Sequence, residues 1–320
     1  MTIPLISSLL GLPALLMAAE GGPDQHVYNH PFSKTPEGLW LWSGNVGNLV
    51  LSAIILIVGG LWVASKVKTG PESQGHRRWI TTNRWAHLVE VLCVYLQDEV
   101  VQPMLGERTK KLMPFLWTVF FFVLINNMLG LIPLLDVQHL ISKSMREQET
   151  AFVGGTATQN LWVTGCLALI AGIVFNIAAV FRLGIGGFLK HMTGGAPFPI
   201  SILLFVIELI GQIVIKPVAL AIRLFANMTA GHILLAVLYS FVAVAIASIH
   251  KLTYAGAAGI SLVSIGGAIF ITFLELFVAV LQAFVFMFLT AVFISLMDHS
   301  EEHGHEHGHD HAPGHEHAHA

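Results

Sequence analysis

The sequence predicts an all-α polytopic membrane protein with five membrane helices and one amphipathic surface helix. Apolar residues make up 55% of the 320 residues, charged residues only 11%, and the mean hydropathy is +0.72. Several apolar runs reach the ~20 residues that a helix needs to cross a bilayer. This composition excludes a soluble protein. A net charge of −3 without a basic patch gives no indication of nucleic-acid binding.

Residues 1–39 precede the first predicted span and form an extracytoplasmic, signal-like segment. Their apolar run, Leu9–Met17, is too short to cross a bilayer and is followed by Ala18-Ala19. The run is typical of a signal-peptide core, but it lacks a positive n-region. A short membrane-docking segment is therefore an equal alternative.

The integral membrane domain is predicted over residues 40–298. Its first span covers residues 47–64, and residues 66–111 then hold eight of the sixteen basic side chains, which places that segment in the cytoplasm. Within it, residues 82–104 alternate apolar and charged side chains with a helical period. This pattern predicts a helix along the membrane surface.

Two further spans, residues 113–135 and 161–181, are predicted to form a hairpin. The polar loop between them, residues 136–160, is expected outside the membrane. A Gly-rich connection at residues 183–197 then returns the chain to the cytoplasmic side.

The remaining apolar region predicts two overlong helices. Residues 199–249 contain no loop signal except Pro217. About 50 residues would make a helix ~75 Å long against a ~30 Å hydrocarbon core, so this helix must bend or tilt. A lone proline can kink a membrane helix without ending it. After a turn at residues 251–259, the second long helix is predicted at residues 260–297, with the N-terminus outside and the C-terminus in the cytoplasm.

Residues 299–320 form a His-rich tail that holds nine of the seventeen histidines. Such a tract has too few apolar residues to bury a core, so it predicts a disordered cytoplasmic tail. Its imidazoles are capable of binding zinc, nickel or copper, but we expect a solvated and dispensable segment.

Arg223 is the most informative residue, because it lies in the middle of an apolar segment, residues 207–232. Arginine keeps its proton, since its pKa stays above ~12. At a bilayer centre it costs at least ~2.5 kcal/mol. Arg223 is too deep to snorkel to the interface, so we expect it to have a partner or a function.

Other polar side chains accompany Arg223 in the two long helices. They are Glu208, Gln212, Lys216, Asn227 and His232 on the first, and Glu275 and Gln282 on the second. At 100° per residue, Arg223 and Asn227 share a face, whereas His232 lies about 180° from Arg223. A proton path beside an electrostatic barrier needs this arrangement. The alternative is that the amides and His232 make helix–helix hydrogen bonds and that Lys216 and Glu208 snorkel.

Four segments of the chain form a recognisable set. They are Arg223-Leu-Phe-Ala-Asn-Met-Thr-Ala-Gly-His232, Lys216-Pro217, Asn127-Met-Leu-Gly-Leu-Ile-Pro133 and the stretch from Glu275 to Thr290. Over about residues 40–297, this set resembles subunit a of the rotary proton-translocating ATP synthase.

The resemblance implies a non-catalytic, multi-pass subunit of the cell inner membrane. Its two long helices would pack against a rotating ring of small proteolipid subunits, each with a lipid-embedded carboxylate. Two aqueous half-channels would end at that interface without meeting. A peripheral stalk subunit, the peripheral ATPase sector and membrane lipid are further expected partners, and neither a cofactor nor a metal is implied.

The resemblance also implies roles for individual residues. Arg223 would keep the passing ring carboxylate ionised and block proton leak. His232 and Glu275 would form a relay in the outer half-channel. Asn227 and Gln282 would be polar neighbours of the arginine, and Lys216 and Glu208 would lie on the cytoplasmic side. A fixed positive charge favours an ionised carboxylate and lipid favours a protonated one, which agrees with the role of Arg223.

Two positions depart from the family pattern. The chain has one residue more between Glu208 and Lys216 than the family spacing, and Gly130 stands where some relatives have an acid.

The main alternative function is a metal-ion transporter, prompted by the His-rich tail. Such a transporter needs His and carboxylate ligands at i, i+4 inside the membrane, and none of the predicted spans has this pair. A quinone-linked redox subunit would need paired axial histidines. A structural anchor would leave Arg223 and the His232/Glu275 pair unexplained.

Overall fold

The computed structural model of the protein describes residues 31–34, 40–67, 81, 83–132, 134, 138, 152–193, 199–247 and 254–296. Five helical segments within these residues are long and apolar enough to cross a membrane. The predicted fold class, an all-α polytopic membrane protein, is confirmed. The signal-like run at residues 1–19 and the His-rich tail at residues 299–320 lie outside the described residues.

A short antiparallel hairpin, which the sequence analysis did not anticipate, leads into the first membrane helix. Strand β1 is Pro31–Lys34 and strand β2 is Trp40–Ser43. Helix α1 then runs from Gly44–Lys66, and the Ser43 hydroxyl accepts a hydrogen bond from the amide of Val46 at the helix start. Side-chain capping of this kind satisfies a backbone N–H that has no partner within the helix.

The predicted amphipathic helix is present as α2, Arg84–Tyr95. The Asn83 side chain caps it by accepting from the amides of Trp85 and Ala86. Trp85 and Leu88 are both exposed, whereas Ala86 is fully buried. The helix therefore presents large apolar side chains away from the protein, as a helix lying on a membrane surface requires.

A widened π-helical turn, Leu96–Val101, and a helical turn, Gln102–Leu105, follow α2. The chain turns at Gly106, whose φ of 52° is a value that glycine adopts without strain, and then enters helix α3, Thr109–Leu131. The span predicted at residues 113–135 is thus present but begins and ends about one turn earlier.

Helix α4 extends further than predicted. It runs from Leu161–Met192 and is broken at Gly184, which has a φ of 68°. The Gly-rich connection predicted at residues 183–197 is therefore helical over residues 185–192. Glycine lowers helix propensity by only about 1 kcal/mol, so a single left-handed glycine redirects the chain while the backbone after it becomes helical again.

The long helix around Pro217 is continuous, as predicted, but its irregularity precedes the proline. Helix α5, Ile200–Ile210, passes through a π-helical turn, Gly211–Ile215, into helix α6, Lys216–Ala247. Pro217 has no N–H, and its ring would clash with the carbonyl four residues earlier in a regular helix. That carbonyl belongs to Ile213, which lies inside the wider turn.

Helix α7, Tyr254–Leu296, begins six residues earlier than predicted. The turn predicted at residues 251–259 is wrong for residues 254–259, which are already helical. This stretch contains three alanines, and alanine has the highest helix propensity.

Helices α3, α4, α6 and α7 meet around one apolar core. The most extensive contacts join α6 to α7, α7 to α3, and α6 to α4. Fully buried side chains at the centre are Leu116, Phe120, Phe175, Leu224, Phe286 and Met287. Buried alanines at positions 221, 279, 283 and 291 allow α6 and α7 to approach closely, as small residues do between membrane helices.

Residues 152–160 insert between these helices, and we call them the inserted segment. A 3₁₀ turn, Ala157–Gln159, is buried within it. At its first residue, Phe152, the backbone carbonyl accepts from the Trp42 indole N–H, and the Trp42 and Phe152 rings stack with centroids 5.3 Å apart. Irregular backbone is tolerated at membrane depth only where protein surrounds it or water reaches it. Residues 152–160, which belong to the polar loop predicted at 136–160, are therefore packed against the helix bundle.

Replacing Gly47 with alanine should destabilise the protein by displacing the inserted segment. A Cβ at position 47 would lie 2.0 Å from the Phe152 carbonyl oxygen. Overpacking of this kind costs about 1–3 kcal/mol. The thermal unfolding midpoint of the purified protein in detergent should fall.

Gly59→Ala, on the same helix, is the matched control, because a Cβ at position 59 would meet nothing within 4 Å. It should leave the midpoint unchanged or raise it. Equal midpoints for the two variants would contradict the close packing of α1 against the inserted segment.

Candidate functional site

Arg223 lies on an exposed, mostly apolar face of α6 that also carries Asn227. Its neighbours on that face, Ile222 and Ala226, are also exposed. Among the described residues, Arg223 has no hydrogen-bond or ion-pair partner. A charge in such a face without a partner among the described residues is costly, and it indicates a functional role.

Asn227 lies one helical turn from Arg223 and is tied to the neighbouring helix. Its amide Nδ2 donates to Oε1 of Gln282, on α7, at 2.8 Å. Gln282 is almost fully buried, whereas Asn227 is exposed. The two residues predicted as polar neighbours of the arginine are thus in contact, and this bond fixes one edge of the Arg223 face.

His232 and Glu275 meet on a different side of α6. Nδ1 of His232 lies 3.3 Å from Oε1 of Glu275, and the carboxylate is 7% exposed. Neither carboxylate oxygen has a hydrogen-bond partner of good geometry among the described residues. The two residues predicted as a relay pair are therefore close together, with the carboxylate buried and the imidazole half-buried, while Arg223 is exposed, as their angular separation predicts.

Backbone and hydroxyl oxygens complete the surroundings of the His232 ring. Nδ1 lies 3.0 Å from the Met228 carbonyl oxygen, on the same helix. Nε2 lies 3.0 Å from the Gly130 carbonyl oxygen at the end of α3 and 2.9 Å from the Thr156 hydroxyl in the inserted segment. Four oxygens thus surround the imidazole.

Glu208, Gln212 and Lys216 form a second polar region on the other side of Arg223. Nε2 of buried Gln212 donates to Oε1 of Glu208 at 2.9 Å, and Lys216 Nζ lies 5.4 Å from the centre of the Phe293 ring. A cation over an aromatic face is attracted by the ring quadrupole. At 1.5 Å per residue, Lys216 and His232 lie about 10 Å and 13 Å from Arg223 in opposite directions along the helix.

The described residues contain no group of three or more His, Cys, Asp and Glu side chains that could hold a metal ion. A transporter would need such ligands along its path. Nothing in this part of the chain supports the metal-transporter alternative.

Comparison with known proteins decides the family. The profile of the ATP synthase A chain family matches residues 48–295. The chain belongs to this family. It is 38% identical over 274 residues to ATP synthase subunit a 2 of Chlorobaculum tepidum, 39% over 221 residues to subunit a of Chloroherpeton thalassium, and 34% over 265 residues to subunit a of Myxococcus xanthus.

These alignments cover 86%, 68% and 82% of this chain, and 66%, 57% and 72% of the three relatives. The chain therefore spans about two thirds of the length of the first relative and 57% of the length of the second. Membership of the ATP synthase A chain family confirms the resemblance noted in the sequence, and with the five apolar helices it makes the chain a multi-pass membrane protein.

Sequence reasoning missed three contributors to the site of this family member. The Gly130 carbonyl contacts His232, so this position supplies an oxygen although it lacks an acidic side chain. Thr156 comes from a loop whose packing no periodic pattern indicates. Gly231 admits the carboxylate, because a Cβ there would lie 2.1 Å from Oε1 of Glu275. A glycine directly before the histidine of the motif was the one available signal.

Replacing Gly231 with alanine should separate His232 from Glu275. The added methyl group would overlap the carboxylate of Glu275, so the side chain has to leave its position. A structure of the variant should show the distance from Nδ1 to Oε1 lengthened by about an ångström or more, since overpacking forces neighbours to shift.

Gly266→Ala is the control on α7, where a Cβ meets nothing within 4 Å. It should leave that distance at 3.3 Å. An unchanged distance in Gly231→Ala would show that the glycine does not create the space for Glu275.

Proposed function

We propose that this chain is the stator subunit of a rotary ATP synthase that conducts protons along two offset half-channels to a rotating ring. The observation that carries the proposal is Arg223, exposed on an apolar helix face with no partner among the described residues. In this proposal the missing partner is the lipid-embedded carboxylate of a small proteolipid subunit. The chain itself catalyses no reaction.

Electrostatics explains what Arg223 does to a passing carboxylate. Opposite unit charges 4 Å apart attract by about 4 kcal/mol at an effective dielectric constant of about 20. This attraction keeps the carboxylate ionised beside Arg223, whereas lipid penalises the ionised form and requires a proton. Each ring carboxylate thus releases a proton on approaching Arg223 and gains one before it re-enters lipid. Because Arg223 stays charged, it also repels protons that would pass directly between the half-channels.

The outer half-channel ends at His232 and Glu275. Imidazole and carboxylate both exchange protons readily, and a small shift would shorten their separation of 3.3 Å to the length of a hydrogen bond. The buried, unbonded oxygens of Glu275 also offer acceptor sites for a proton or for water. These contacts support the proposed relay.

The inner half-channel is assigned to Glu208, Gln212 and Lys216. Their hydrogen bond and ring contact lie on the opposite side of Arg223 from His232. Asn227 and Gln282 add neutral amides beside the arginine, which order its surroundings without neutralising it. Two polar regions separated by a fixed positive charge fit half-channels that do not meet.

The proposed complex implies where this chain lies and which molecules it contacts. We place residues 40–298 in the cell inner membrane, with the N-terminus outside and residues 299–320 in the cytoplasm. The peripheral stalk subunit, the peripheral ATPase sector and membrane lipid complete the partners. Eight of the sixteen basic residues lie at 66–111, and this excess supports the orientation.

Replacing Arg223 with alanine should abolish ATP-driven proton pumping while the subunit still inserts. Every 1.4 kcal/mol of lost attraction lowers an equilibrium by a factor of about ten, so a fall of more than ~100-fold in pumping by inverted vesicles is expected. Arg223→Lys should fail nearly as badly, since an ammonium group discharges more easily when desolvated and lacks the planar fork. Arg84→Ala, at an exposed site on α2, is the control. Near-normal pumping by the Arg223→Ala vesicles would refute the stator function.

Exchanging the relay pair should rescue part of its activity. His232→Glu and Glu275→His should each reduce proton-driven ATP synthesis, and the double variant should retain more activity than the product of the two single effects. Residues in contact show such coupling, typically about 0.5–3 kcal/mol. A double variant equal to that product would argue against a direct relay.

A further inference from the structure

The oxygens around His232 differ in what they can do. The carbonyls of Met228 and Gly130 accept hydrogen bonds but cannot donate them. Each therefore stabilises a ring nitrogen only while that nitrogen carries a proton. A relay histidine must also exist without one of its protons, and a nitrogen lone pair facing a carbonyl oxygen is then left without a donor.

Thr156 supplies a donor that the carbonyls lack. Its hydroxyl oxygen lies 2.9 Å from Nε2 of His232 and 3.4 Å from the Gly130 carbonyl oxygen. A hydroxyl has one rotating proton and two acceptor lone pairs. When Nε2 is protonated, the hydroxyl accepts from it and donates to Gly130. When Nε2 is bare, the hydroxyl turns and donates to Nε2.

The inserted segment holds Thr156 in place from both sides. Before it, Gly155 has a φ of 71° and its carbonyl accepts from the Asn48 amide of α1. After it, the Thr158 hydroxyl donates to Oδ1 of Asn127 at 3.0 Å. Thr156 itself is 1% exposed. The hydroxyl oxygen is therefore fixed, and only its proton is free to rotate.

From this geometry we infer that Thr156 is a positioning residue of the outer half-channel, which satisfies Nε2 of His232 in both of its protonation states. The inference rests on the proposed function, because it assumes that His232 exchanges protons. Without the hydroxyl, only acceptors remain at both ring nitrogens, so the protonated ring is favoured and its release of a proton is slowed.

The effect of a change at Thr156 on His232 depends on which charged groups face the imidazole. Among the described residues, Glu275 of α7 is the one titratable side chain in contact with His232. The groups that face the ring from α3 and from the inserted segment, Gly130 and Thr156, are uncharged. A change at Thr156 therefore acts on a ring whose one ionisable neighbour among the described residues, Glu275, stays in place.

The test is Thr156→Val in the complete complex, with ATP synthesis driven by an imposed gradient across vesicles and the pH on the outer side varied. Valine keeps the shape and removes the hydroxyl. The rate should fall about tenfold, as expected for a buried group left without its hydrogen bond. The midpoint of the rate against outer pH should rise by about one unit. Thr156→Ser should restore both.

Thr164→Val is the matched control. Thr164 is also fully buried, but its hydroxyl donates only to backbone carbonyls of Asn160 and Leu161. It should leave the midpoint unchanged. A Thr156→Val variant with an unchanged midpoint, or a serine variant that fails to restore it, would overturn the inference.

Two further variants make the outcome decisive. If Thr156→Val does not accumulate in membranes, Thr156→Cys keeps a weaker donor and should give an intermediate midpoint, whereas a wild-type midpoint would overturn the inference. His232→Ala separates the two proposals. Wild-type synthesis by His232→Ala would remove the proposed relay itself, but an impaired His232→Ala beside an unshifted Thr156→Val would remove only the role of Thr156.

Discussion

Arg223 is a permanently charged side chain in a mostly apolar helix face, with no partner among the described residues, and this constrains the packing around it. Arg223 would be neutralised by any carboxylate of the chain that reached it. Glu275 is instead packed against His232 on another side of the helix, 3.3 Å from the imidazole. The polar group that does approach the Arg223 face is the neutral amide pair of Asn227 and Gln282. The helix packing thus leaves the guanidinium available to an outside anion.

The sequence predicts the helical architecture well because the bilayer sets a minimum length for each apolar run. All five predicted spans are found, and the errors fall at their ends. Residues 185–192 and 254–259 are helical although glycine and short polar runs suggested connections. Such residues weaken a helix by about 1 kcal/mol or less, so they do not by themselves end one.

Part of the site also follows from the sequence, and part does not. The opposite placement of Arg223 and His232 follows from helical periodicity alone, because both lie on one helix. Contacts made by irregular backbone could not be predicted. A carbonyl such as that of Gly130 has no signature in the sequence, and Thr156 reaches the ring only because the inserted segment packs between helices.

The wide turn at Gly211–Ile215 has a consequence for the angular phase of the long helix. One extra residue in a regular helix would rotate everything before it by about 100° relative to Arg223. A π turn closes its hydrogen bonds over five residues instead of four and so absorbs one additional residue. From the sequence, we expect one residue more between Glu208 and Lys216 than the family spacing, and this turn lies between them. A residue added there would be looped out locally, and Glu208 would keep the azimuth that the shorter spacing gives it.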